Sequence, residues 1–275
     1  MSVEDIEFAV QITDTMNWNL TEQDFKFMLD LEPEGCFVLI HDSERIGAAT
    51  AISFDEVGWI GNVIVDEKHR GKGAGSTLLK HAMHFLIKKG ARTIGLYAYS
   101  ATVNFYTQLG FKRNSEFTVL NGKVKALPIK ETSYIQKTDS SHLQKIIDFD
   151  RFYFGASRGK LLKKISSQKG NLCYCYVDNG EILGYAMAKV YGWYAEIGPL
   201  VCRREKSLVA PLLLHTVLNK LDGCEVSVCL PKKEKKLVDM LINAGLIEGF
   251  DVVRMSYEPL AFKDCVYIAE SLERG

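Results

Sequence analysis

The chain has 275 residues, enough for one large domain or two ordinary ones, and is 47% hydrophobic and 25% charged, the balance of a globular protein with a buried core. Thirty-four Lys and Arg residues match thirty-four Asp and Glu, so no bulk charge draws the chain to nucleic acid or anionic lipid. The opening MSVEDIEFAV has acids where a secretory leader needs bases and an apolar core, and the most apolar stretch, LVAPLLLHTVL at 208–218, is too short to cross a bilayer.

In chain order, TEQDFKFMLDL (21–31) reads as a short helix, with Thr21 as cap and Asp24 at the third position. CFVLIHD and ERIGAATAISF are strand-like runs around a polar turn at Asp42 and Ser43, and GWIGNVIV (58–65) is a third. A helix follows, with Leu78, Leu79, Ala82, Met83, Leu86 and Ile87 predicted on the buried face and Lys80, His81, His84 and Lys88 away from it. Gly90 ends it. TIGLYAY (93–99) is a strand, SATVNFYTQL a short helix closed by Gly110, and FKRNSEFTVL another strand. Strands alternating with helices predict a sheet that is at least partly parallel.

The polar, turn-rich stretch that follows reads as a linker at 126–140, between domains at 1–125 and 141–275. Beyond it come a basic helix-like stretch, the strands NLCYCYV, EILGYAMAKV and AEIGPLVC, and an apolar helix at 207–221. CEVSVCL, a helix at 232–243 and DVVRMSY complete the pattern. The order repeats. RIGAATA is echoed by ILGYAMA, with Gly47 and Gly184 spaced by 137; WIGNVIV by EIGPLVC, with Gly61 and Gly198 spaced by 137; and QLGF by NAGL, with Gly110 and Gly245 spaced by 135. Such constant spacing argues for two copies of one fold. Seven cysteines without a CxxC pair read as reduced, packed thiols rather than metal ligands, which points to the cytoplasm.

Gly71, Gly73 and Gly75 crowd the start of the first long helix. A glycine-rich turn feeding a helix N-terminus is an anion site, because the first amides lack intrahelical partners and glycine lets the backbone close on a phosphate. The P-loop pattern fails, since Gly73 follows Lys72 and Asp66 stands where its first glycine belongs. The dinucleotide pattern fails at Ser76. What remains is Arg70-x-x-Gly73-x-Gly75, directly after Val63-Ile64-Val65.

That pattern in VIVDEKHR and the following glycines, with FYTQLGF some thirty residues later, resembles the GNAT superfamily of acetyl-CoA-dependent N-acetyltransferases. The resemblance covers residues 1 to about 120 and extends through the repeat to the tandem members of that superfamily. It implies an α/β (α+β) architecture of two GNAT-like domains, each a mixed, partly parallel twisted sheet flanked by helices, the second degenerate. It implies that the central strand splays from its neighbour at a bulge, so that Val63, Ile64 and Val65 face pantetheine. Arg70, Gly71, Lys72, Gly73, Ala74, Gly75 and Ser76 are then expected to hold the pyrophosphate, and Asn104 to touch the cofactor. Tyr106 matches the family's proton donor to the departing thiolate. Two departures stand out: Tyr99 replaces an asparagine common in the family, and Gly61 stands where many relatives carry a catalytic glutamate. Asn62, Glu56, Tyr97 or a water chain are the substitutes considered for the base.

The resemblance implies an N-acetyltransferase acting on a primary amine of a small molecule or peptide. The competing reading is a non-catalytic acyl-CoA-binding sensor, which Gly61 permits. Trp18, Asn62, Tyr97 and Glu196 are the expected acceptor-side residues. The second half, whose RREKSLVAPL (203–212) contains no glycine, is expected to shape the acceptor cleft without binding cofactor. Neither nucleic acid nor membrane is expected as a partner, and the chain is expected as a monomer or homodimer.

Overall fold

Two short helices open the chain: α1 (Ile6–Asp14) and α2 (Glu22–Leu31). In the second, the Thr21 backbone amide and hydroxyl both donate to Asp24 Oδ2, at 2.8 and 2.7 Å, as the spacing predicts. The computed structural model describes residues 1–128, 133–206, 208–259 and 261–275. Strands β1 (Cys36–His41) and β2 (Glu44–Phe54) form a hairpin closed by Asp42 and Ser43, both at positive φ. Then come β3 (Val57–Val65), α3 (Ala74–Lys88), β4 (Thr93–Tyr99), α4 (Val103–Gln108) and β5 (Lys112–Lys123).

The expected linker contributes a short strand, β6 (Ile135–Lys137), while its residues 129–132 lie outside the described residues. The second half continues with α5 (Ser140–Phe154), α6 (Gly159–Ser167), β7 (Leu172–Asp178), β8 (Glu181–Tyr191) and β9 (Tyr194–Arg203). It ends with α7 (Val209–Lys220), β10 (Glu225–Pro231), α8 (Lys235–Asn243), β11 (Ile247–Tyr257) and β12 (Cys265–Ile268). Residue 207, where the apolar helix was expected to begin, lies outside the described residues.

The repeat holds in space. Gly47 and Gly184 lie in β2 and β8, Gly61 and Gly198 in β3 and β9, and Gly110 and Gly245 follow α4 and α8. Among the described residues all twelve strands join one sheet, in the order β1-β2-β3-β4-β11-β5-β10-β9-β8-β7-β6, with β12 added on β9. Two pairs are parallel, β3 with β4 and β9 with β10. The middle of that order shows an exchange. β5 leaves its own half to pair with β10, while β11 crosses back to pair with β4, and the two exchanged strands pair with each other. Each half is therefore completed by the other's last long strand.

Packing follows from this exchange. One core cluster draws on both halves, including Trp59, Phe117, Phe154 and Tyr185. A second surrounds α7, whose Leu213, Leu214, Val217 and Leu218 are fully buried. On α3, Leu78, Leu79, Ala82 and Leu86 are buried and Met83 is partly so, but Ile87 is 52% exposed, against the sequence expectation. Residue 87 stands about 100° around the helix from Leu86. The apolar stripe leans the other way, to Phe85, which packs edge-on against Phe37 with ring centres 5.6 Å apart.

Candidate active site

The site begins with a failure of strand pairing. β3 runs parallel to β4 only from Val57 to Trp59, against Thr93 to Gly95. On its other side, Ala48 pairs with Ile64 and Thr50 with Gly61, so that Asn62 and Val63 together oppose Ala49. This is a β-bulge. Asn62 occupies its strained position at φ 52°, and its side-chain amide donates to Thr50 Oγ1 at 3.3 Å. Past the bulge the strand keeps its β2 partner, and the edge that faced β4 has no strand partner among the described residues. The splay implied by the resemblance is present.

At the far end of that edge the chain turns into α3. Arg70 Nε donates to the Val65 carbonyl at 2.9 Å, which folds the turn back on the strand. Gly71 and Gly73 have φ of 74° and 89°, a left-handed conformation that favours glycine. Gly73 caps the helix, and its carbonyl accepts from the Thr77 amide at 3.0 Å. The Ala74, Gly75 and Ser76 amides precede that bond, where a helix N-terminus has no intrahelical partners for its amides. The Lys72 ammonium is turned to the Lys68 carbonyl at 3.1 Å.

A cavity of about 1640 Å³ runs along the splay and continues onto the second half. It brings together Trp18, Asn62, Val63, Ile64, Val65, Arg70, Tyr97, Tyr106 and Glu196. Gly71 to Ser76 lie just outside its lining, and so does the exposed Asn104 at the start of α4. Glu56 also lies outside, exposed and 3.5 Å from Arg92. Tyr106 is buried, and desolvation pushes its hydroxyl up to about 12, so it stays protonated across the neutral range. Burial also drives Tyr97 well above its ordinary value, and among the described residues its hydroxyl has no hydrogen-bond partner. Trp18 stacks on Tyr99 with ring centres 6.2 Å apart.

The second half contributes an aromatic and acidic wall. Tyr191, Trp193, Tyr194 and Glu196 all reach the cavity. Glu196 and Glu270 grip the buried Lys189 ammonium, each at 2.7 Å, and Arg274 bonds Glu270 at 2.7 Å. Burial pushes the Glu270 carboxyl up, but Arg274 and Lys189 outweigh it and hold it at about 2.

The final segment, Ala269 to Gly275, escaped the sequence reading. Its residues 269–273 line the cavity, yet SLERG carries no periodicity or motif that marks a site. Strand β12 was also missed. The β8–β9 pair has the same bulge as β2–β3, with Gly198 and Pro199 opposing Met187, and β9 pairs with β10 only over Tyr194 to Ile197. There the freed edge is taken, since β12 pairs with Leu200 to Arg203.

Residues 5–111 match the acetyltransferase (GNAT) family, and residues 146–265 match an acetyltransferase (GNAT) domain. Over 90 residues, 31% of this chain, the sequence is 31% identical to the uncharacterized N-acetyltransferase YobR of Bacillus subtilis; that stretch spans 36% of YobR. The fold is similar to a putative acetyltransferase from Pyrococcus horikoshii, at TM-score 0.81 and 20% identity, covering 100% of this chain and 94% of that one. It is also similar to a tandem GNAT protein from the clavulanic acid biosynthesis pathway, at TM-score 0.60 and 15% identity, covering 95% of both chains.

Proposed function

This chain belongs to the GNAT acetyltransferase family, and from that premise we propose that its first half binds acetyl-CoA and transfers the acetyl group to a primary amine held between the halves. The observation that carries the reading is the open edge of β3, which leads from the cavity to the unused amides of Ala74, Gly75 and Ser76. A pantetheine arm has amides that pair with such an edge as an added strand would. A pyrophosphate has the charge that a helix N-terminus favours. Val63, Ile64 and Val65 would hold the first, and Arg70 to Ser76 the second. When bound, acetyl-CoA supplies an activated thioester.

The chain's own groups then have separable tasks. Tyr106 keeps its proton at neutral pH and offers it to the leaving sulfur. The wall of Trp18, Tyr99, Tyr191, Trp193 and Tyr194, interspersed with carboxylates, suits an acceptor that arrives as an ammonium. A small-molecule amine or a peptide amine meets that description. The unpaired thiols, buried or half-buried, support a reducing compartment such as the cytoplasm. No helix among the described residues is long and apolar enough to cross a membrane.

The test is thiol release from acetyl-CoA against a panel of amines and basic peptides. Amine-dependent release supports the reading. Binding of acetyl-CoA without release for any acceptor supports the sensor instead.

A further inference from the structure

This inference deepens the acetyl-transfer reading and rests on it. An aliphatic ammonium with a pKa near 10.4 is protonated at neutral pH and cannot attack a carbonyl until a proton leaves. The cavity therefore needs a base. Six carboxylates line it: Glu22, Asp24, Glu196, Glu225, Glu270 and Glu273. Glu22 pairs with Lys26 at 2.7 Å, and Asp24 is engaged by the Thr21 cap. Glu196 and Glu270 are both paired with Lys189 and Arg274. Glu225 opens β10, separated from β3 by three strands, β4, β11 and β5. Glu273 is different. Among the described residues no ion pair involves its carboxylate, and its backbone amide donates to Ser271 Oγ at 3.3 Å.

Its position is fixed by a glycine on the splayed strand. A Cβ on Gly61 would fall 2.6 Å from Glu273 Cα and 2.8 Å from Glu273 Cβ. Any side chain at 61 would collide with backbone, so glycine there makes the seat for the final segment. Gly61 lies between the last β3–β4 pair, at Trp59, and the bulge at Asn62, where the edge opens. The segment is pinned on both sides of the glutamate. Trp59 Nε1 donates to the Leu272 carbonyl at 3.3 Å, and Arg274 Nε donates to Glu270 at 2.7 Å. Arg158, buried and locked in a two-pronged bond to Asp150, donates to the Gly275 backbone oxygen at 2.9 Å. The backbone around Glu273 is held while its carboxylate is kept out of the ion pairs.

We propose that Glu273, carried across the sheet and seated over Gly61, is the general base that deprotonates the acceptor amine. The ammonium gives one proton to the Glu273 carboxylate. The freed lone pair forms the C–N bond at the thioester carbonyl carbon. Collapse of the tetrahedral intermediate breaks the C–S bond, and the sulfur takes the Tyr106 proton. The nitrogen's second proton restores Tyr106, and the Glu273 proton passes to solvent, leaving amide and free thiol. Burial raises the Glu273 carboxyl; Arg274 opposes this, Glu196 adds to it, and Lys189 and Ser271 oppose it. Tyr99, Tyr194 and Cys229 are the further titratable groups that sense its charge. The base must be ionised to act, so activity falls on acidification, with its acid limb above the usual carboxylate range.

The experiment compares wild type, Glu273→Gln and Glu273→Asp by kcat/KM from pH 5 to 10, using acetyl-CoA with a lysine-like amine and with a matched amine of pKa near 7. Acetyl-CoA affinity is measured alongside. For Glu273→Gln the expected result is a loss of about 10²–10⁴-fold with the basic amine, loss of the acid limb, unchanged acetyl-CoA affinity and a much smaller deficit with the weakly basic amine. Where Glu273→Gln loses acetyl-CoA affinity, Glu273→Asp decides on the same ratio between the two amines. A deficit equal for both amines, or a wild-type rate in Glu273→Gln with the acid limb intact, overturns the proposal alone. A wild type that releases no thiol with any amine overturns the acetyl-transfer reading and this proposal together.

Discussion

β3 and β9 are the same strand twice. Both bulge against the preceding strand, both pair in parallel with the following one for only three or four residues, and both then splay. Beyond the bulge their fates differ. The freed edge of β3 faces a cavity and leads to a turn with left-handed glycines, whereas the freed edge of β9 is covered by β12 and leads to RREKSL. The position matching Tyr106, counted from Gly110 and Gly245, is Leu241, fully buried in the second core. A splayed strand is therefore not by itself a cofactor site. In the proposed reading it becomes one where the edge stays open, the next amides are unobstructed and a proton donor stands beside it. The second copy keeps the shape and fills it with its own chain.

The comparison breaks most visibly at the proton donor. Tyr106→Phe gives the first half the apolar character of Leu241. The expected loss in kcat is about 10²–10⁴-fold with acetyl-CoA affinity unchanged, read from initial rates and calorimetry. Wild-type turnover in this variant would make Tyr106 a packing residue. The filled edge is probed by Val266→Asp, which puts a carboxylate against Cys202 in the β12–β9 pair. Burying an unpaired charge there costs about 3 kcal/mol of stability, seen in urea unfolding. Binding of a second acetyl-CoA by this variant would show that β12 alone blocks the second half. Gly73→Glu sharpens the contrast from the open side. A carboxylate at φ 89° faces the expected pyrophosphate and should weaken acetyl-CoA by about 100-fold, the equivalent of one or two lost charge-assisted hydrogen bonds. The circular dichroism spectrum should be unchanged, and unchanged affinity would remove the turn from the cofactor site.

Much of this was legible in the sequence because it is local. The Thr21–Asp24 cap, the Asp42–Ser43 turn and the glycine turn are each set within a few residues, and the repeat needed only constant spacing. Trp18, Asn62, Tyr97 and Glu196 were named from sequence and line one cavity with Tyr106. What escaped is nonlocal. Nothing in FKRNSEFTVL or DVVRMSY says that β5 and β11 exchange partners, because both strands have apolar residues suited to either neighbour. The exposure of Ile87 depends on where Phe37 stands. Glu273 lies 212 positions from Gly61, and only the folded chain puts its backbone over the glycine. The missing carboxylate on β3 was visible as an absence, while the residue that fills the space was not.

The central claim is that one half of a duplicated fold holds the cofactor and the other cannot. Calorimetric titration of the intact chain with acetyl-CoA measures this directly. One molecule bound per chain, lost in Gly73→Glu, is the predicted result; two equivalent sites, or one site untouched by that substitution, would contradict it.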